Sequence, residues 1–140
     1  PATAIMQFDS ADAATYLQNG LWDEIITHEM LHCVGFGSIW SYKGLVTNAA
    51  FTGANALAEY KTLVGSGTVT GVPVETGGGS GTAGSHWAES VFDTELMTGY
   101  IDAVDPLSGV TAASLRDLGY VTPAPSTLLS SGYTDPFALA

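Results

Sequence analysis

Cations are scarce in this chain. Its 140 residues include three, Lys43, Lys61 and Arg116, against 14 acids, for a formal net charge of −11. Nucleic acid and anionic membrane surfaces are therefore poor partners, because neutralising phosphate takes clustered Lys and Arg. Cysteine is nearly absent as well. Cys33 stands alone, so no disulfide can form within the chain, and the redox compartment stays open. No apolar run reaches the length of a transmembrane helix, so no membrane insertion by a helical span is expected. Residues 1–20 lack the basic start and apolar run of a signal peptide. Histidine is the most informative scarcity: there are three, His28, His32 and His86.

Against these absences stands an apolar content of 46%, which with the chain length predicts one globular domain over 1–140. Ile5–Phe8 reads as a short strand. Asp9-Ser10 then offers N-cap oxygens to a helix over 11–17, which Asn19-Gly20 ends. A second helix starts at Leu21 or Trp22 with Asp23 and Glu24 in its first turn, where the macrodipole favours acids, and runs to Cys33 or Val34 with Gly35 as its stop. A third helix starts at Thr52-Gly53 and ends near Gly65, with Ala54, Leu57, Ala58 and Val64 as its apolar side and Glu59 solvated. Val69–Val74 reads as a strand that Pro73 confines to an edge. Gly77-Gly78-Gly79-Ser80-Gly81 is a flexible loop and not a phosphate loop, since no Gly-Lys-Ser/Thr follows. Residues 95–99 form a turn in which Gly99 supplies freedom in φ. Ser108–Leu118 is a helix with Leu115 and Leu118 inward, Arg116 and Asp117 outward, and Gly119 as its stop. The tail over 123–140 is expected to dock through Leu128, Leu129, Tyr133 and Phe137.

The chemistry concentrates at His28-Glu29-Met30-Leu31-His32. Residues four apart on a helix share a face, so His28 and His32 can offer two imidazoles to one metal ion. Glu29 sits about 100° round the helix, poorly placed as a ligand and well placed to meet a water at that metal. If the third ligand is a histidine, it is His86. Cys33 is read as a buried helix residue, and Glu89, Asp93 and Glu95 as candidates for orienting a ligand histidine.

Several blocks carry a resemblance: His28–Gly37 with Trp40, Gly81-Thr82-Ala83, His86-Trp87, Phe92, Glu95-Leu96-Met97-Thr98-Gly99, Leu107-Ser108 and Thr111–Tyr120. In this order they resemble the leishmanolysin family of metzincins, over about residues 5–121. The short metzincin pattern would need a histidine where Ser38 stands; in leishmanolysins an insertion separates the glycine, here Gly35, from the third histidine. The resemblance implies an α+β, metzincin-like zincin domain. It implies one catalytic Zn²⁺ on His28, His32 and His86, Glu29 as general base, and Met97 in a turn beneath the metal. Tyr100 and Ile101 are then candidates for the substrate pocket. The organisation expected is strand, short helix and active-site helix over 1–35; insertion, third ligand, methionine turn and C-terminal helix over 36–122; and the tail over 123–140. Because the family's sheet precedes the active-site helix, a reduced or missing N-terminal sheet is expected, and the single cysteine points to a bacterial-type relative. The resemblance implies a secreted, extracellular zinc-dependent endopeptidase acting on protein or peptide substrates.

Two other readings compete. One is a gluzincin-type peptidase with a glutamate such as Glu59 as third ligand. The other is a non-catalytic, zinc-stabilised binding module. Calcium sites, oligomeric state and cleavage preference are not readable from the sequence.

Overall fold

A computed structural model describes residues 1–102 and 104–123; the expected docking of the tail lies outside the described residues. Five helices and a small sheet follow in the order α1 (Ser10–Asn19), α2 (Trp22–Cys33), β1 (Val46–Thr47), β2 (Ala50–Phe51), α3 (Ala54–Leu63), β3 (Val72–Pro73), α4 (Glu89–Phe92) and α5 (Gly109–Leu118). The architecture is mixed, helices with a small antiparallel sheet in the order β1-β2-β3. Among the described residues no strand precedes α2.

The first 35 residues are governed by capping. Asp9 Oδ1 accepts the Ala11 N–H at 2.8 Å, and Gly20, at φ 74°, closes α1. Ile5–Phe8 does not form the expected strand. Among the described residues no strand pairs with it, and an unpaired strand leaves its backbone groups to water. Phe8 instead lays its ring 5.1 Å from Trp22, with the Tyr16 ring 6.3 Å from the same indole. Helix α2 stops as read, with Gly35 at φ 115°.

The sheet begins with a hairpin that the sequence reading missed. Val46 pairs with Phe51 and Thr47 with Ala50, so the loop is the two residues Asn48-Ala49, at φ 51° and 57°. A tight hairpin needs positive φ at both central positions, usually met by Asn-Gly. Ala49 takes the second position without glycine, and its carbonyl accepts the Val74 N–H at 2.9 Å. Strand β3 is shorter than read but sits on the sheet edge, where Pro73 has no ladder donor to lose.

The buried residues of α3 are Ala56 and Tyr60; of the expected apolar side Ala54 and Ala58 are exposed, Leu57 is half-buried, and Val64 packs partly buried against the core. Two contacts turn the helix this way. Tyr60 packs 5.7 Å from Phe92, and Asp117 of α5 accepts from the Asn55 and Ala56 N–H groups at 2.9 and 3.0 Å. Asp117 is thus the N-terminal cap of a neighbouring helix, not a solvated residue. Arg116 likewise faces Glu59 at 3.6 Å instead of water. Helix α5 is buried along most of its length, capped by Ser108 and closed by Gly119 at φ 104°.

An aromatic cluster fills the core. Trp87 is fully buried, with the rings of Phe36, Trp40, Phe51 and Phe92 centred 5.1, 4.9, 5.5 and 5.7 Å away. Each such side chain contributes about 1.5–3 kcal/mol by leaving water. The cluster joins the chain after α2 (Phe36, Trp40) to the residue following His86.

Candidate metal centre

Helix α2 supplies His28 and His32 one turn apart, and Gly35 turns the chain away after them. The φ of 115° is what calls for glycine at this turn; a Cβ there would stand 2.8 Å from Ile39 Cδ1, the movable end of a side chain. The chain then passes Gly37, whose missing side chain lets the Ser85 backbone lie directly against it. Ser85 precedes His86, so this approach brings the third histidine back to α2. The loop between is held by Glu75, whose Oε1 accepts from the Thr76 and Gly77 N–H groups at 2.8 Å each and whose Oε2 accepts from Glu89 N–H at 3.1 Å. The Gly77 and Glu89 donors hold its carboxyl below the usual range.

The three imidazoles meet at their Nε2 atoms, with separations of 3.0 Å (His28–His32), 3.0 Å (His32–His86) and 3.1 Å (His28–His86). Each Nδ1 has a backbone carbonyl at hydrogen-bond distance: Leu96 at 2.6 Å from His28, Phe36 at 2.9 Å from His32 and Thr82 at 3.0 Å from His86. A carbonyl only accepts, so the tautomer inferred at each ring carries its proton on Nδ1. Each Nε2 is then a bare lone pair facing two others, and the short contacts cannot be hydrogen bonds between neutral rings. Only a cation satisfies all three at once. Tetrahedral zinc with Zn–N near 2.0–2.1 Å places its nitrogens about 3.3 Å apart, within a few tenths of an ångström of this triangle. The three histidines could hold a metal ion, and among the described residues they are the one such group of His, Cys, Asp or Glu.

The surroundings favour the neutral, ligating form. Burial pushes His86 down from 6.5 to about 4, against the Thr82 carbonyl, which works to raise it. Burial also lowers His28, with the Leu96 carbonyl opposing.

The triangle opens into a cleft of about 370 Å³. Helix α2 lines it with Glu24, Ile25, His28, Glu29 and His32. Gly81, Thr82 and His86 line it from the glycine-rich segment, and Leu96, Thr98, Gly99, Tyr100, Ile101 and Asp105 from the segment beyond. The sequence candidates Glu29, Tyr100 and Ile101 therefore share one cleft with the three histidines. Met97 is fully buried in the core cluster, its carbonyl accepting the Trp87 N–H at 3.0 Å. Cys33 is only half-buried. Glu59 faces Arg116 at 3.6 Å and is not in the group with His28 and His32 that could hold a metal. Glu89, Asp93 and Glu95 do not orient a ligand histidine directly, because backbone carbonyls hold all three Nδ1 positions. Gly99, expected to supply freedom in φ, is not among the positive-φ glycines; a Cβ there would collide with Thr82 Cγ2, so it allows a close approach.

Glu24 and Asp105 were missed as cleft residues. Glu24 lies one turn before His28 on the same face of α2, a spacing that could have found it. Asp105 comes from the segment after the 95–99 turn, and no local signal marks it; burial pushes its carboxyl up, and the nearby Glu24 adds to this.

The family model for leishmanolysin matches residues 1–125. A leishmanolysin homolog of Crithidia fasciculata is 30% identical over 132 residues, covering 86% of this chain and 20% of that protein. Leishmanolysins of Leishmania donovani and Leishmania major are 27% and 28% identical over 132 residues, again covering 86% of this chain and 22% of theirs. The chain thus spans about a fifth of the length of these relatives. No solved structure matches. With the family match running through α2, the returning histidine and α5, the chain belongs to the leishmanolysin family.

Proposed function

We propose that this chain carries the catalytic centre of a zinc-dependent endopeptidase, with Glu29 as general base. The observation that carries the reading is the triangle of three Nε2 lone pairs at the base of an open cleft that Glu29 also lines. His28, His32 and His86 would hold one zinc ion. When bound, zinc supplies Lewis acidity, polarising a peptide carbonyl and making water more acidic. The chain's own residues do the rest. The carbonyls of Leu96, Phe36 and Thr82 keep the Nδ1 protons in place, so the imidazoles stay neutral and correctly turned. Glu29 takes a proton from the attacking water and passes it to the leaving amine nitrogen. Tyr100 and Ile101, both half-exposed, wall the cleft where a substrate side chain would lie. The 95–99 segment corresponds to the metzincin methionine turn, with Met97 as a packing residue and not a ligand. Protein or peptide substrates and an extracellular setting belong to the same proposal and rest on family membership.

Glu29→Gln should keep zinc at one equivalent while cleavage of a quenched peptide falls by about 10²–10⁴-fold. His86→Ala should lose zinc, and Glu59→Ala should not. Zinc binding without any chelator-sensitive cleavage by the wild type would replace the peptidase reading with a zinc-stabilised binding module.

A further inference from the structure

Glu95 is fully buried, yet the ion pair seen among the described residues, Arg116 with Glu59, lies elsewhere. A carboxylate in such a place persists only if donors surround it. Four do. Oε2 accepts from the Met97 N–H at 2.6 Å. Oε1 accepts from the Ser108 N–H at 3.0 Å, the Ser108 hydroxyl at 2.8 Å and the Thr111 hydroxyl at 2.5 Å. The direction of each bond is fixed. Ser108 Oγ already accepts the Thr111 N–H at 3.1 Å, and Thr111 Oγ1 already accepts the Trp87 indole N–H at 2.8 Å, so both hydroxyl protons turn to Glu95. The Met97 and Ser108 amides can only donate. Burial pushes the Glu95 carboxyl up and the four donors oppose it; every donor is matched when the group is an anion, and the N-terminus of α5 adds its favourable dipole.

The Met97 N–H and the Leu96 carbonyl are the two ends of one peptide group. Glu95 holds the N–H end, and His28 Nδ1 donates to the carbonyl end at 2.6 Å. A peptide group is planar and rigid, so fixing one end fixes the direction of the other. It is also polarisable: an anion on its N–H side enriches its oxygen and strengthens the bond to the imidazole. A second route leads to His86. Glu95 holds Thr111, Thr111 holds the indole of Trp87, and Trp87 follows His86 in the chain.

We propose that Glu95 is the positioning anion of the metal centre, acting on His28 through the single peptide group Leu96–Met97 and on His86 through Thr111 and Trp87. This rests on the metal-site reading above and adds a residue that touches neither metal nor substrate. It gives the centre the electrostatic service that a carboxylate bonded directly to a ligand histidine usually provides.

The test compares Glu95→Gln, Thr111→Val and, as a control, Val110→Ala, a nearly fully buried α5 residue outside the hydrogen-bond network. Zinc affinity is measured by competition with a chromogenic chelator. The His28 Nδ1–H resonance is followed by NMR on ¹⁵N-histidine-labelled, metal-free protein. Glu95→Gln should weaken zinc binding by about 10–100-fold and move the His28 Nδ1–H resonance upfield. Thr111→Val, which leaves the peptide route intact, should weaken zinc binding less and leave the His28 resonance in place. Val110→Ala should lower the denaturation midpoint with zinc affinity and resonance unchanged. An unshifted His28 resonance in Glu95→Gln, or an equal loss of affinity in Val110→Ala, would overturn the proposal. If wild-type protein failed to bind zinc, the metal reading would fall, while the His28 shift would still decide whether Glu95 acts through the peptide.

Discussion

Gly37 and Gly44 form a matched pair that isolates one contact. Both sit at φ 66°. A Cβ at Gly44 meets nothing within 4 Å, whereas at Gly37 it would stand 2.8 Å from the Ser85 carbonyl carbon and 2.9 Å from Ser85 Cα. Alanine at either position carries the strain of a left-handed conformation, about 1–2 kcal/mol. At Gly37 the obstacle is backbone, the Ser85 carbonyl oxygen nearest of all, so relief requires the 85–86 segment to move by about 1 Å or more to reach ordinary contact. The ligand nitrogen of His86 moves with it, while metal–ligand distances tolerate about 0.2 Å. Gly44→Ala should therefore lose about 1–2 kcal/mol in chemical denaturation and bind zinc as wild type does. Gly37→Ala should lose more stability than Gly44→Ala and also bind zinc at least about 10-fold more weakly. Denaturation of the metal-free proteins and chelator competition for zinc give the two numbers. Equal stability losses in the two variants, or wild-type zinc affinity in Gly37→Ala, would refute the argument that this glycine carries His86 to the metal.

The other expectations concern stability. Asp117→Ala removes the acceptor of the Asn55 and Ala56 N–H groups and should cost about 1–2 kcal/mol in denaturant unfolding without changing zinc affinity. Ala49→Gly relieves a positive φ of 57° and should raise stability by about 0.5–1 kcal/mol in the same assay. In metal-free protein the unfolded chain takes up a proton at His86 near 6.5 while the folded chain resists to about 4, so this residue's effect is absent above 6.5 and destabilises increasingly as pH falls to about 4. Half-buried Glu89 and buried Glu95 and Asp105 have raised values and act in the opposite sense, so the difference between wild type and His86→Gln isolates the histidine. That difference, from urea midpoints, should grow between pH 6.5 and 4 and stay flat above; growth above neutrality would contradict it.

The parts of the site that depend on local spacing were legible in the sequence. Four-residue spacing on α2, Gly35 as its stop, and Ser108 and Gly119 as the ends of α5 are short-range signals, and the structure has them. Three histidines left His86 little competition as a histidine ligand. What failed depends on distant neighbours. The face of α3 is chosen by Phe92 and by Asp117, 62 residues beyond Asn55. Asp117 read as solvated because nothing nearby in sequence reveals that α3 needs a cap. The β1–β2 hairpin was hidden because Asn48-Ala49 lacks the usual glycine. Ile5–Phe8 looked like a strand by composition, but a strand needs a pairing neighbour, which composition cannot supply. Glu95 was suspected of touching a ligand histidine; it reaches His28 through a peptide group, a geometry that only coordinates reveal.

Trp87 gives the centre an optical voice. It follows His86 in the chain, its indole N–H is tied to Thr111, and its ring lies 4.9 Å from that of Trp40 at 33°. Two indoles that close and rigidly tilted couple their electronic transitions. A change in His86 that is transmitted one residue along the chain alters that coupling. Trp22, half-buried beside Phe8 and Tyr16, sits outside this pair and reports on the α1–α2 region. Near-ultraviolet circular dichroism can thus follow occupancy of the histidine triangle without any label, with the natural chain as its own indicator.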